Sequence, residues 1–422
     1  MYFIDLFAGA GGLSEGFIRQ GFKPIAHIEM DKYAALTLKT RAAYHYLKNK
    51  DNLAVYKDYL FGKISRDDLY GHVPGSQTDA VINMEISDES IDYIFNEIDQ
   101  SLMVMTSQKK SVDVLIGGPP CQAYSLVGRA RDPYGKEKDP RNYLYRQYVK
   151  FLDRYKPRVF VFENVPGILN AAKGKLFEDI QAIMKEAGYN IAAKTLNAAD
   201  FGVLQQRKRV ILIGWRKELD YEYPEFKKIS HEYSVWDLLK DLPPLQPGTE
   251  KNYFYTGEPS KYLSSFGIRN EGDILTQHVA RIHNENDRSI YEIAIDLWNN
   301  KRQRLKYTDL PEDLRTHNNL SSFLDRFKVV SGDLPYSHTV VAHIAKDGHY
   351  YIHPDKTQKR SLSVREAARL QSFPDNFFFE GPRTSIFTQI GNAVPPIMAE
   401  QIAKMIKLMI NEELEKQLTF SL

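Results

Sequence analysis

The 422 residues contain one cysteine, Cys121, and it follows Gly117-Gly118-Pro119-Pro120. The run from Val112 to Gly117 reads as a buried strand, so the thiol falls just past a strand's carboxyl end. Parallel sheets build their sites on that edge. Two prolines stiffen the backbone before the sulfur. A lone cysteine is more often a small buried hydrophobe, but this one lies between a strand end and a loop, outside any apolar stripe. Glu163 closes a second apolar run, Val159 to Phe162. A carboxyl placed there is poorly solvated, and desolvation favours its protonated form. A helix cap or an ordinary surface acid is the plainer alternative. Gln205-Gln206-Arg207-Lys208-Arg209 leads into a third apolar run, Val210 to Gly214. Strand alternation predicts that Arg207 and Arg209 point the same way. Two co-directed guanidiniums suit a phosphate or a base carbonyl, and a solvated charge run remains the even alternative.

A fourth constellation opens the chain. Asp5-Leu6-Phe7-Ala8-Gly9-Ala10-Gly11-Gly12 follows a first strand, and Glu29 ends a second. Glycines let a backbone approach a ligand closely, and the start of the next helix favours negative charge. A dinucleotide fingerprint would need a third glycine at the position that Ser14 occupies. An acid ending the second strand can accept from ribose hydroxyls. The pair therefore points to a nucleoside cofactor without a pyrophosphate, with a ligand-free glycine turn as the equal alternative.

These groups need a scaffold that brings strand ends together. Strands are expected at 2–6, 24–29, 79–84, 112–117, 158–162 and 209–214, and helices at about 31–47, 88–102 and 175–187. That alternation implies a parallel sheet with crossover helices. Residues 49–78 are polar and read as a surface insertion. Residues 121–141 lack apolar periodicity and read as a long mobile loop. Beyond 216 the pattern turns irregular, and regularity returns at 361. Ser363 and Glu366 form a capping box opening a short helix that Pro374 closes. Met398, Ile402, Met405, Ile406, Met409 and Ile410 form one core-facing helical stripe.

Composition excludes several classes. At 43% hydrophobic and 26% charged the chain can build a core. One thiol makes neither an internal disulfide nor a cysteine metal cluster, which suits the reducing cytosol. No secretory leader and no membrane-length apolar run is expected. The formal charge of +2 hides a basic stretch: residues 129–158 hold ten Lys or Arg against four acids. That excess could face phosphates or simply be solvated helix charge. Lys301, Arg302, Arg304 and Lys306 pose the same choice. His338, His343, His349 and His353 cluster without the partners a metal site needs, so no metal is expected.

Taken in order, Asp5–Gly12, Gly118-Pro119-Pro120-Cys121-Gln122, Glu163-Asn164-Val165, Gln205-x-Arg207-x-Arg209, Arg360–Glu366 and Gln389–Val394 resemble the DNA (cytosine-5) methyltransferase family. The resemblance covers most of 1–215 and 360–396. It implies an α/β, Rossmann-like S-adenosylmethionine-dependent domain with a mostly parallel sheet over 1–215, completed by 386–422. Residues 216–385 would form a smaller, irregular target-recognition region and hinge. Phe7, Gly9, Gly11, Leu13, Glu29, Met30, Glu85, Pro119, Leu144, Asn392 and Ala393 would surround S-adenosylmethionine. Cys121, Glu163, Arg207 and Arg209 would be catalytic. Gln122, Ser125, Arg129, Arg131 and Gln205 would meet DNA.

The chemistry calls for such groups. C5 of cytosine is a poor nucleophile until a thiolate adds at C6, and the target base must leave the duplex to be reached. The expected substrate is double-stranded DNA, modified by a monomer in the bacterial cytoplasm as part of a restriction–modification pair. Any cognate endonuclease would act without a stable complex. The alternatives are a tRNA cytosine methyltransferase, a catalytically silent DNA-binding module and a nucleotide-dependent oxidoreductase, the last disfavoured by Ser14.

Overall fold

The computed structural model describes residues 1–105, 111–120, 144–318 and 320–420. In chain order the first half runs β1 (Tyr2–Leu6), α1 (Gly12–Arg19), β2 (Lys23–Glu29), α2 (Lys32–Asn49), α3 (Leu53–Leu60), α4 (Arg66–Gly71), α5 (Gly75–Thr78), β3 (Val81–Asn83), α6 (Ile91–Met105), β4 (Val114–Gly117), α7 (Leu144–Tyr155), β5 (Val159–Asn164), α8 (Lys175–Glu186), β6 (Tyr189–Asn197) and β7 (Lys208–Arg216). The seven strands form one sheet in the order β3-β2-β1-β4-β5-β7-β6. The β3 to β5 run is parallel, and β7 is antiparallel to both β5 and β6. This is the mostly parallel Rossmann-like α/β sheet that the strand–helix rhythm predicts. The sequence reading did not anticipate β6, which is half-exposed and lacks a continuous apolar run.

The order of strands places the site. From β1 the chain moves outward to β2 and β3, then returns to β4 on the other side. Crossovers therefore leave β1 in opposite directions, opening a crevice at the carboxyl ends of β1 and β4. Leu6 is level with Ile28 on β2 and with Gly117 on β4, and Gly117 is level with Phe162 on β5. Phe7, Glu29, Gly118 and Glu163 consequently emerge along one edge.

The 49–78 segment is more than a surface insertion. It folds as α3, α4 and α5, with Tyr56, Leu60 and Leu69 buried against Ala43, Tyr44 and Leu47 of α2. Leu53, Tyr56 and Leu60 stand at helical spacing, a signal masked by the charged residues and glycines around them. Ser65 and Asp68 form a capping box that starts α4.

Past β7 the chain forms α9 (Trp236–Leu239), α10 (Lys261–Ser265), α11 (Glu285–Lys301), α12 (Leu320–Phe323), α13 (Val364–Leu370), α14 (Arg383–Asn392) and α15 (Pro396–Phe420). Ser363 and Glu366 cap α13 reciprocally, and Arg360 forks onto Glu366 through two 2.7 Å bonds. On α15, Met398, Ile402, Ile406 and Ile410 are fully buried, each contributing about 1.5–3 kcal/mol. The helix lies against α1 at Gly16, where a Cβ would stand 2.4 Å from the Ala399 backbone. One apolar cluster runs continuously from Phe3 and Leu13 through Leu238, Val340 and Leu370 to Ile410. A separate cluster gathers Ile290, Tyr291, Ile295, Leu305, Tyr307 and Phe327 around α11. Among the described residues no helix is long and apolar enough to cross a membrane.

Candidate active site

Glu163 is the next-to-last residue of β5, and its carboxylate Oε1 lies 2.7 Å from Nε of Arg209 on β7. Antiparallel pairing sets Glu163 opposite Ile211 and so brings Arg209 to the same end. Both side chains are nearly buried, at 12% and 9% exposure. Burial lowers the pKa of Arg209, and the charge of Glu163 works against that shift. On the neighbouring strand end, a Cβ at Gly118 would sit 2.5 Å from Glu163 Oε2. A side chain at this glycine, before the two prolines, would push the carboxylate out of its present position. Asn164 Nδ2 donates to the Pro119 carbonyl at 3.1 Å, and its own oxygen accepts from Val165 N–H. The segment leading to Cys121 is thus fastened to the strand that carries Glu163. Cys121, Gln122, Ser125, Arg129, Arg131 and the expected loop at 121–141 lie outside the described residues.

The two arginines have different partners. Arg207 stands one residue before β7, and its backbone extends the pairing with the end of β6, donating to Asn197 Oδ1 and accepting from Ala198 N–H. Its side chain is fully buried, donating from Nη1 to the Val340 carbonyl at 2.6 Å and from Nη2 to the Gly391 carbonyl at 2.9 Å. Burial, and then the charge of Arg209, pulls its pKa well below the usual guanidinium range. Gln205, expected on DNA, is also fully buried. Its amide donates to Leu370 O and Gln371 Oε1 and accepts from Val340 N–H. Sequence gave no sign that residues 337–340 pass beside this segment, where Ser337 bridges Gln205 in parallel.

Around the glycine loop, Gly9 and Gly11 take φ values of +55° and +82°, and Phe7 one of +56°. Glu29 accepts from Gly9 N–H through one oxygen and from Asp31 N–H through the other, both at 2.7 Å. Burial still raises its pKa despite these two donors. Asp31 caps α2 through the N–H groups of Tyr33 and Ala34, so one short acidic segment ties loop, strand and helix together. Met30 beside it is 62% exposed, an apolar side chain left open at the crevice. Leu13 is buried, and Leu144 begins α7 half-buried. Ala393 packs toward Gly12, where a Cβ would meet the Ala393 Cβ at 3.2 Å, and Asn392 beside it is exposed. Residues separated by nearly the whole chain therefore meet at the first loop. Glu85 is exposed beyond the end of β3. Asn83, unremarked in the sequence, instead donates to the carbonyls of Glu29 and Met30. Its signal was its place as the last residue of a strand on the same edge.

The basic stretch resolves differently from a phosphate-binding face where it is described. Arg146 faces Asp179 at 3.8 Å, Arg154 pairs with Asp99 at 2.5 Å, and Lys150 pairs with Asp88. Carboxylates distant in sequence neutralise this side of α7, which a count over 129–158 could not register. In the later region Arg302 pairs with Asp333 at 2.9 Å. The histidines are dispersed as structural partners: His338 bonds the Tyr350 carbonyl, His349 the Tyr291 hydroxyl, and His353 lies 3.6 Å from Glu366.

The profile of the C-5 cytosine-specific DNA methylase family matches residues 1–74 and 85–408. The chain belongs to this family. It is 45% identical to the type II methyltransferase M.Bpa9945I of Bacillus paralicheniformis, over 97% of this chain and 99% of that one. It is 31% identical to the type II methyltransferase M.DdeI of Desulfomicrobium norvegicum, over 96% and 88%. Among solved structures it resembles one assigned as a DNA modification methyltransferase encoded within an E. coli prophage, with TM-score 0.63, 22% identity, and coverage of 97% and 99%. It also resembles the S. pombe Dnmt2 methyltransferase, with TM-score 0.52, 14% identity, and coverage of 97% and 99%. Both likenesses speak to the fold. The chain is a DNA (cytosine-5) methyltransferase, and DNA is its substrate. The family implies a methyl donor, and the β1–β4 crevice has features that suit S-adenosylmethionine. A methyl added at Gly9 would meet nothing within 4 Å, and the buried Glu29 and exposed Met30 border the same opening.

Proposed function

We propose that this enzyme methylates C5 of cytosine within a specific short duplex sequence, through covalent attack of Cys121 on C6 of a flipped-out base. The Glu163–Arg209 pair carries this reading, because it sets a carboxylate and a guanidinium against the Gly118-Pro119 segment that leads to the thiol. The thiolate of Cys121 adds to C6 and gives C5 enamine character. A free thiol with pKa of about 8.5 is only partly ionised at neutral pH, so nearby positive charge favours the nucleophile. A proton carried by Glu163 is donated to N3 of the base as the thiolate adds, and this spreads the developing charge. Arg209 holds Glu163 in place and offers its remaining N–H groups to the base. Arg207, bound to the Val340 and Gly391 carbonyls, supports Arg209 and Glu163. S-adenosylmethionine, when bound, supplies an electrophilic sulfonium methyl. Phe7, Gly9, Gly11 and Leu13 would line its loop, with Glu29 on the ribose, Met30 against the adenine, Pro119 and Leu144 nearby, and Asn392 and Ala393 toward the methionine end. Glu85 would face the adenine amino group, with Asn83 closer to the strand edge. Once C5 has been methylated, the C5 proton passes to water, the Cys121 sulfur leaves C6 as thiolate, and the N3 proton returns to Glu163, which regenerates the free enzyme.

Gln122, Ser125, Arg129 and Arg131 would contact the DNA. The 45% identity to a type II methyltransferase supports a role as the modification half of a restriction–modification pair. A duplex with 5-fluorocytosine at the target position tests the mechanism. It should trap a covalent complex with the unmodified enzyme in the presence of cofactor, and none with Cys121→Ser. A complex formed equally by Cys121→Ser would sink the assignment. Bisulfite sequencing of DNA from a methylation-free host expressing the protein would give the target base and its context.

A further inference from the structure

α2 carries an unusual buried face: Thr37, Thr40 and Arg41 are polar and all but inaccessible. Buried polar groups require partners, and here they come chiefly from Glu15 of α1, Asn376, Glu380 and Gln389. Arg41 forks onto Glu15 of α1 at 2.6 and 2.9 Å and reaches Asn376 through the same guanidinium. Glu380, 5% exposed, takes the Thr40 hydroxyl on Oε1 at 2.6 Å. The same oxygen accepts the Tyr59 hydroxyl of α3 at 2.6 Å, and Oε2 lies 3.5 Å from Arg66 of α4. A carboxylate has about four acceptor sites, and this one is filled from two directions, by α2 and by the helical insert.

The backbone of Glu380 continues the chain of contacts. Its N–H donates to the Thr37 hydroxyl at 2.8 Å, and its carbonyl accepts from Gln389 Nε2 at 2.9 Å. Thr37 in turn donates to Gln389 Oε1 at 2.7 Å. Gln389 lies one turn before Asn392 on α14. Asp31 caps the N-terminus of the same α2, six residues before Thr37, and its N–H holds Glu29. Gly381, at φ +102°, lets the Tyr33 ring pack on the turn; a Cβ there would be 2.6 Å from the ring. Tyr33 is in the first turn of α2, beside that cap.

We infer that Glu380 is a positioning residue for the methyl-donor site, tying the helical insert of α3–α5 to α2 and α14, the two segments that flank that site. The inference rests on the cofactor placement proposed above. Glu380 touches no reacting atom in this scheme. It sets the distance between the Glu29 end of α2 and the Asn392 end of α14. The 53–78 helices thereby gain a role, as the outer wall that supplies Glu380 with a hydroxyl and a guanidinium.

Calorimetric titration of the full-length protein with S-adenosylmethionine tests it, alongside steady-state methyl transfer. Glu380→Ala removes the acceptor of the Tyr59 hydroxyl and leaves Thr40 only the Tyr70 hydroxyl, and should raise the cofactor Kd by about tenfold or more. Glu380→Gln retains one oxygen for both hydroxyls and should stay within about threefold. In both variants kcat at saturating cofactor and KM for DNA should remain within about twofold, which a merely loosened fold would not achieve. An unshifted cofactor Kd in Glu380→Ala overturns the inference, as does a change confined to kcat or to DNA binding. Should circular dichroism show Glu380→Ala unfolded, Tyr59→Phe replaces it: a Kd raised about two- to fivefold supports the inference and an unchanged Kd overturns it. If the unmodified protein itself binds no S-adenosylmethionine, the cofactor site is refuted and this inference falls with it. Binding by the unmodified protein with no shift in the variants refutes this inference alone.

Discussion

The two neighbouring arginines should separate cleanly into stability and activity. Replacing Arg207 by Met keeps much of its volume but removes two donors, leaving the buried Val340 and Gly391 carbonyls unpaired. Each hydrogen bond to a charged group is worth about 1.5–3 kcal/mol. Removing a fully buried guanidinium also relieves its desolvation cost, which offsets part of the loss. The net expectation is a destabilisation of about 2–4 kcal/mol. Arg209→Met removes the 2.7 Å ion pair with Glu163 and one bond to the Lys208 carbonyl. Its fold cost should be smaller, on the order of 1–2 kcal/mol. It strips Glu163 of its partner at the reacting base, however. A loss of about 3 kcal/mol in transition-state stabilisation corresponds to roughly a hundredfold in kcat/KM. Urea unfolding followed by circular dichroism reads the first quantity, and transfer of a labelled methyl group to duplex DNA reads the second. The reasoning fails if Arg209→Met is the less stable variant. It fails equally if Arg207→Met loses activity at unchanged stability, for then Arg207 would be acting at the base.

Two further outcomes follow from the same geometry. Glu29→Ala removes the shared acceptor of Gly9 and Asp31 N–H groups, and should raise the S-adenosylmethionine Kd by about tenfold or more without altering which sequence is methylated; titration calorimetry and bisulfite sequencing read the two parts. The protein should also be sensitive to mild acid. Burial pushes His278 and His338 down to about 4, and His283 and His353 down to about 3, from the ordinary 6.5. The unfolded chain therefore takes up protons first as pH falls, so this stability is fully present above 6.5 and is lost on the way to 4 and 3. Each histidine contributes on the order of 1 kcal/mol per pH unit in that window. Urea midpoints that stay level between pH 6.5 and 4.5 would contradict the burial of these rings as neutral partners.

The sheet was legible in the sequence because each inner strand is a short apolar run ending in a chemically distinctive residue. Phe7, Glu29, Gly118 and Glu163 announce strand ends, and the parallel rhythm puts such ends on one edge. β6 was not legible, since it is half-exposed and edge-lying and carries no continuous apolar signal. The helical insert was harder to read: Leu53, Tyr56 and Leu60 stand at helical spacing, but charges and glycines surround them, and part of their cover comes from Ile274 and Phe378 far along the chain.

Residue identity and order settled the family and nominated Cys121, Glu163 and the glycine loop, since local spacing alone places them at strand termini. Tertiary structure decided everything that depends on which distant segments meet. It gave Arg209 the carboxylate of Glu163 and Arg207 the Val340 and Gly391 carbonyls, partners that reach this segment only in the fold. It buried Gln205 beneath residues 337–340, and it cancelled the charge of α7 with Asp88, Asp99 and Asp179. Side-chain partners at long sequence separation leave no mark in spacing, and only packing reveals whether a polar residue is free to act or already held.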